Sequence, residues 1–106
     1  MFARSVSMRL KPNSVGQFTQ IFEQDVLPLL RKQKGFQDEI TLVAPAGADA
    51  VAISLWDKEE SADAYSRDAY PGLLKTIARV VEGTPQVQTY EVANCTFLKV
   101  AAHVTA

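Results

Sequence analysis

Residues 2–10 alternate, with Phe2, Val6, Met8 and Leu10 on one parity and Ala3, Ser5, Ser7 and Arg9 on the other. This period of two predicts a first strand. Lys11-Pro12-Asn13 breaks it, and Ser14 followed by Gln17 matches a capping box. Val15, Phe18, Phe22, Val26 and Leu29 then recur at helical spacing, predicting a helix over residues 14–33 that Gly35 ends. Pro28 removes a backbone donor inside that helix, so a kink or break is expected in its last two turns. Residues 36–44 read as a second strand, with Phe36, Ile40 and Leu42 opposite Gln37, Glu39, Thr41 and Val43. Pro45-Ala46-Gly47 makes a turn into a third strand over residues 49–56, whose faces separate into Val51, Ile53, Leu55 and Ala52, Ser54, Trp56. Asp57 with Glu60 is a second capping signature, opening a helix through Ala62, Tyr65 and Ala69. Tyr70-Pro71-Gly72 interrupts it, and Pro71 suits the first turn of a further helix whose stripe of Leu73, Leu74, Ile77, Val80 and Val81 runs to Gly83. A fourth strand is expected over residues 86–97, with residues 96–106 as a C-terminal extension.

The order strand, helix, strand, strand, helix, strand, without repeat or linker, is the split βαβ or ferredoxin-like α+β arrangement, filling one domain over residues 1–106. Right-handed crossovers put both helical segments on one face of a four-stranded antiparallel sheet. If the larger apolar sets face the helices, the open face carries Ser5, Ser7, Thr41, Val43, Ala52, Ser54 and Trp56. Such a face either meets water or packs on the same face of a second copy, where small side chains allow close approach. The homodimer is the expectation.

Composition excludes more than it assigns. Eleven basic and twelve acidic side chains leave a net charge of −1, which supplies no footprint for nucleic acid and no polybasic patch for a membrane. The N-terminus has no uninterrupted apolar run of the signal-peptide kind, and no stretch has the roughly 18 apolar residues of a membrane span. One cysteine, Cys95, excludes an internal disulfide and suits a reducing, cytoplasmic setting; it reads as a small core residue rather than a nucleophile. His103 is the only histidine, so a metal site or a histidine-based triad lacks members, and the residue reads as part of the tail. The five glycines form no phosphate loop, so neither metal nor nucleotide cofactor is expected.

The run Ala52-Ile53-Ser54-Leu55-Trp56-Asp57-Lys58-Glu59-Glu60-Ser61-Ala62-Asp63-Ala64-Tyr65 resembles the strand-to-helix junction of the antibiotic biosynthesis monooxygenase domain family. There a tryptophan ends the third strand, an acidic cap follows and an aromatic-containing helix begins. The segment Val26-Leu27-Pro28-Leu29-Leu30-Arg31-Lys32-Gln33-Lys34-Gly35-Phe36 is similar to the family's first helix and its passage into strand two. The resemblance covers about residues 2–95 and implies a dimeric α+β barrel. Its members include cofactor-free quinone-forming oxygenases, haem-degrading enzymes and quinol oxygenases.

Carried over residue by residue, the resemblance implies that Trp56 matches the site tryptophan of the quinone-forming oxygenases. The asparagine four residues earlier is Ala52 here, the site tyrosine six residues later is Ala62, and the site arginine falls near Thr76, with Lys75 and Arg79 the nearest cations. Against the haem degraders, Tyr65 stands at the tryptophan and Lys75 at the axial histidine, and an ammonium does not ligate iron as imidazole does. Haem degradation is therefore disfavoured.

The candidate binding residues are Trp56, Tyr65, Tyr70, Arg4 and Lys75. The three aromatics either line a pocket for an apolar ring between sheet and helix or anchor a core or interface. The anchoring role is expected for Trp56, with Tyr65 and Tyr70 the better cleft candidates. Arg4 falls among Phe2, Val6 and Met8, so it either snorkels, pairs with Glu91 or Asp38, or meets an anion in the cleft. Two functions stay open: a cofactor-independent monooxygenase of a phenolic or quinol-type aromatic ring, and a non-catalytic homodimeric small-molecule-binding or interaction module.

Overall fold

Strand β1 (Phe2–Leu10) is paired on both sides in the computed structural model, which describes residues 1–96. It runs antiparallel to β3 (Asp49–Trp56) and to β4 (Val81–Glu91), and β2 (Phe36–Val43) extends the sheet beyond β3, giving the order β2-β3-β1-β4. The first crossover holds α1 (Val15–Ile21), a π-turn (Phe22–Val26) and α2 (Leu27–Arg31); the second holds α3 (Glu59–Asp68) and α4 (Tyr70–Ile77). The helices cover one face of the antiparallel sheet, which is the ferredoxin-like fold. No helix among the described residues is long and apolar enough to cross a membrane. His103 and the expected end of the fourth strand at Phe97 lie outside the described residues.

Pairing with β1 decides which side of each strand is covered. Phe2, Arg4, Val6, Met8 and Leu10 are buried beneath the helices, and four of them stand opposite Trp56, Ser54, Ala52 and Ala50 of β3. Directly paired residues share a sheet face. The helix side of β3 is therefore Ala50, Ala52, Ser54 and Trp56, while Val51, Ile53 and Leu55 face away, the reverse of the expected assignment. Space explains the reversal: Phe18, Phe22, Tyr65, Tyr70, Leu73 and Ile77 fill the layer above the small Ala50, Ala52 and Ser54, and the large Trp56 packs at the strand's end against Phe36 and Tyr65. In β2 a bulge between Phe36 and Asp38 shifts the register, so Glu39, Thr41 and Val43 turn toward the helices and Ile40 and Leu42 are each 49% exposed on the open face. Of the residues expected on that face, Ser5 and Ser7 are there; Thr41, Val43, Ala52, Ser54 and Trp56 are not.

The helix boundaries carry further corrections. Ser14 is the N-cap of α1, but its hydroxyl donates back to the carbonyl of Pro12 at 3.3 Å rather than accepting from the first turn. Asp57 does not cap α3, whose N-cap is Lys58; the Asp57 N–H is engaged by the Gly35 carbonyl at 2.8 Å. The irregularity expected from Pro28 takes the form of the π-turn just ahead of it, where the Leu27 N–H reaches the Phe22 carbonyl five residues back. A proline ring presses on the carbonyl four residues earlier, and the wider turn relieves that contact. Helix α4 stops at Ile77; Val80 leads into β4, its carbonyl accepting from the Lys11 N–H at 2.9 Å, and Val81 is the first residue of that strand. Gly83 (φ +67°) and Pro85 mark a register shift against β1 between Ser7 and Arg9, not a helix stop. β4 consequently starts and ends earlier than predicted, at Val81 and Glu91.

Candidate functional site

The parity of β1 drives Arg4 into the interior, where it is only 3% exposed. Its guanidinium carbon lies 3.9 Å from the Tyr70 ring centroid and 5.3 Å from that of Tyr65, and Nη2 donates to Ser66 Oγ at 3.4 Å. Neither expected carboxylate partner reaches it. Glu91 pairs across from Phe2 while Arg4 stands opposite Thr89, and the β2 bulge sets Asp38 beside Leu55 on the open face. Among the described residues the ion pairs are Arg9–Asp49 and Arg67–Asp68, both at the surface. Ring faces and one hydroxyl are what the buried cation has around it.

Helices α3 and α4 bring the two tyrosines over this position, 6.2 Å apart between centroids. Burial pushes the Tyr65 hydroxyl up to about 12, with Arg4 pulling the other way and Tyr70 and Glu39 adding to the rise. Burial also raises Tyr70, against the opposing pull of Arg4. The Tyr70 hydroxyl is buried and has no well-formed hydrogen bond among the described residues, the Arg4 guanidinium being the polar group that acts on it. Both phenols are thus neutral donors at physiological pH. Across from them, Glu39 of β2 has its carboxyl raised by burial, partly countered by a 2.7 Å hydrogen bond from Thr41 Oγ1 and reinforced by Asp38.

These groups line one cleft. Ala52 and Ser54 form its floor, Phe22, Val26 and Leu30 the wall from the π-turn and α2, and Leu73 and Ile77 the wall from α4. The free space is about 30 Å³, room for water and not for an aromatic ring. A ring enters only as side chains of the walls move apart.

The structure brings together three of the five residues singled out in the sequence, Arg4, Tyr65 and Tyr70. Trp56 stands behind them: fully buried, it packs 5.0 Å from the Tyr65 ring and 5.6 Å from Phe36, and its Nε1 donates to Ser54 Oγ at 2.9 Å. It supports Tyr65 and the floor without lining the cleft. Lys75 is exposed on α4 and does not line the cleft either. Ala52, at the asparagine position of the resemblance, lies in the floor, while Ala62 is buried in α3 outside the lining. Glu39, Ser54 and Ser66 were not singled out. The only available signal was the carboxylate pair Asp38-Glu39 ahead of Ile40 in β2, and the bulge disguised which of the two points to the helices.

No protein-family profile matches the chain, and no curated protein sequence does. Solved structures do match. The monooxygenase from the gene ActVA-Orf6 of Streptomyces coelicolor, solved in complex with nanaomycin D, superposes with a TM-score of 0.76 at 14% identity, covering 91% of this chain and 90% of that one. SnoaB, a cofactor-independent oxygenase from Streptomyces nogalater, gives 0.72 at 11% identity over 91% and 96% of the two chains. A protein of unknown function from Nitrosomonas europaea gives 0.74 at 15% identity over 91% and 92%. At these identities the likeness is one of fold, and this fold is that of the antibiotic biosynthesis monooxygenase structures.

Proposed function

We propose that the chain is a member of the antibiotic biosynthesis monooxygenase family that oxygenates a phenolic or quinol-type ring without a cofactor, as a homodimer. The observation that carries this reading is the buried Arg4 guanidinium beside a Tyr70 hydroxyl without a well-formed hydrogen bond in an aromatic-walled cleft. A desolvated cation held only by ring faces and the Ser66 hydroxyl favours an anion next to it, and a buried hydroxyl without a hydrogen bond favours an acceptor. A phenolate oxygen answers both, and its ring suits walls of Tyr65, Tyr70, Phe22 and Leu73. In this class of reaction the substrate supplies its own electrons: a ring methylene and O₂ become a carbonyl and water. The protein's part is a dry, preorganised place for the anion that passes the first electron. The shared fold with cofactor-independent oxygenases supports the assignment.

The dimer is supported by the open sheet face. Ile40 and Leu42 are exposed there beside Val51, Ile53 and Leu55, with Ser5 and Ser7 small enough to let a second sheet approach. A second copy placed face to face would cover this strip.

Oxygen uptake with a panel of hydroquinones and anthrones in metal-free buffer tests the reading. Uptake with at least one of them, lost in Arg4→Met, is expected; none across the panel would overturn it. The narrow cleft, with Ala52 and Ala62 where the resemblance places asparagine and tyrosine, favours a second reading, a non-catalytic binding module. That reading predicts ring binding with no uptake.

A further inference from the structure

Arg4 and Glu39 face one cleft without forming an ion pair. They belong to a single cross-strand row, Glu39–Ser54–Arg4, with the short serine between them. Adjacent strands stand about 4.8 Å apart, so the outer two Cα atoms are separated by roughly 10 Å. Both side chains are long enough to reach one atom placed over Ser54. Thr41 donates to Oε2 of the carboxylate at 2.7 Å, Oε1 accepts no hydrogen bond from the described residues, and Glu39 lines the cleft. On the other side wait a guanidinium with no carboxylate in ion-pair distance among the described residues and the Tyr70 hydroxyl, which makes no well-formed hydrogen bond with them. The row thus reads as a proton acceptor, a gap of one small residue, and a holder for an anion.

Resting on the phenolic reading above, we propose that Glu39 is the catalytic proton acceptor of this cleft. The O–H bond of the bound phenol breaks, the proton joins the Glu39 carboxylate, and the electron pair stays on the phenolic oxygen between Arg4 and Tyr70. Charge is conserved within the site: a carboxylate becomes a carboxylic acid as a phenol becomes a phenolate, so no co-reactant is needed and no proton leaves for solvent. The surroundings of Glu39 favour the transfer. Burial and Asp38 on its own strand make protonation easier, Thr41 opposes it, and across the cleft Arg4 of β1, Tyr65 of α3 and Tyr70 of α4 are the ionisable groups that face it. The wall from the π-turn and α2 contributes Phe22, Val26 and Leu30, none of which titrates. A base made stronger by its environment is the better catalyst near neutral pH.

The test counts protons. Para-hydroxyacetophenone, whose ionised form absorbs at longer wavelength than protein, is titrated into the full chain in buffer that leaves the free phenol un-ionised and Glu39 ionised. Calorimetry in two buffers of different ionisation enthalpy gives the protons released per ligand bound. The expected result for the wild type is phenolate absorbance with no net proton release. Glu39→Gln, which keeps an acceptor for Thr41, should bind with the absorbance lost, or with one proton released for each phenolate formed; Glu39→Asp should restore retention. Release of one proton per phenolate by the wild type, or binding of the un-ionised phenol alone, would overturn the assignment of Glu39 while leaving a phenolic site in place. Failure of the wild type to bind the phenol at all would overturn both. The wild-type count decides even if the glutamine variant does not fold.

Discussion

The guanidinium carbon of Arg4 sits 3.9 Å from the centre of the Tyr70 ring, while the hydroxyl of that ring is buried without a well-formed hydrogen bond among the described residues. The tyrosine therefore steadies the cation with its face and leaves its polar end available. A desolvated contact of this kind is worth about 2 kcal/mol, against a desolvation cost of several kcal/mol for the buried charge. Arg4→Met should accordingly change stability in urea by no more than about 1 kcal/mol in either direction, and should abolish binding of phenolate ligands. A loss beyond about 3 kcal/mol would identify Arg4 as a structural residue instead.

Glu39 should make the protein less stable as pH rises. Its carboxyl is raised in the fold, chiefly by burial, so between the unfolded value near 4.5 and the higher folded value the native state holds more protons than the unfolded chain. Stability contributed by the neutral acid is present below that window and lost through it. Melting temperatures of wild type and Glu39→Gln should diverge as pH climbs through it, with the variant melting higher at pH 7. Equal melting at every pH would contradict the burial of this group.

Trp56→Ala should cost roughly 3 to 5 kcal/mol, because the indole is fully buried. It also leaves Ser54 Oγ without its donor and Tyr65 without its backing. Thermal and urea unfolding check this; an unchanged midpoint would mean the ring is dispensable to the core.

Gly35 joins α2 to β2 at φ +83°, and a Cβ there would collide with Asp57 Oδ1 and Ser61 Oγ. Gly35→Ala should lose at least about 1–3 kcal/mol through the backbone conformation alone, and the contact with the start of α3 adds to that. Alanine at Gly16, which has open space around it, is the matched control and should be neutral or slightly stabilising by chemical denaturation.

Ile53→Glu should yield a monomer in sedimentation, with a melting temperature that no longer depends on protein concentration. The residue lies in the middle of the open sheet face, paired with Ile40 and Ser5, so an added charge would have to be desolvated against its copy. A dimer persisting in this variant would place the interface elsewhere.

The element order was legible because both periods are strong: the alternation of residues 2–10 and the recurrence of Phe18, Phe22 and Val26 leave few alternatives. Facing was not legible. Both sides of β3 are apolar, and bulk favoured Val51, Ile53 and Leu55, whereas the pairing with β1 and the crowding under the helices decided for the smaller set. Arg4 drew notice because an arginine on an apolar parity must be buried or diverted. Glu39 did not, since a bulge one residue into β2 has no hydrophobic signature and flips every side chain after it. Gly83 misled for a related reason: glycine after an apolar run serves a helix stop and a strand irregularity equally well.

Phe18, Phe22, Val26 and Leu30 are all buried and stand four residues apart. In a regular α-helix each step of four overshoots a full turn by about 40°, so three steps would carry the last side chain about 120° around the axis. The extra residue accommodated in the turn from Phe22 to Val26 takes up this phase error and keeps the stripe on one side. The far wall of the cleft is therefore encoded by a count of residues as much as by their kind. Regular α geometry with every residue kept would swing Leu30 about 120° away, whereas deleting one residue between Phe22 and Val26 would put Leu30 eleven positions after Phe18, within about 20° of it, and leave the wall standing without the wide turn.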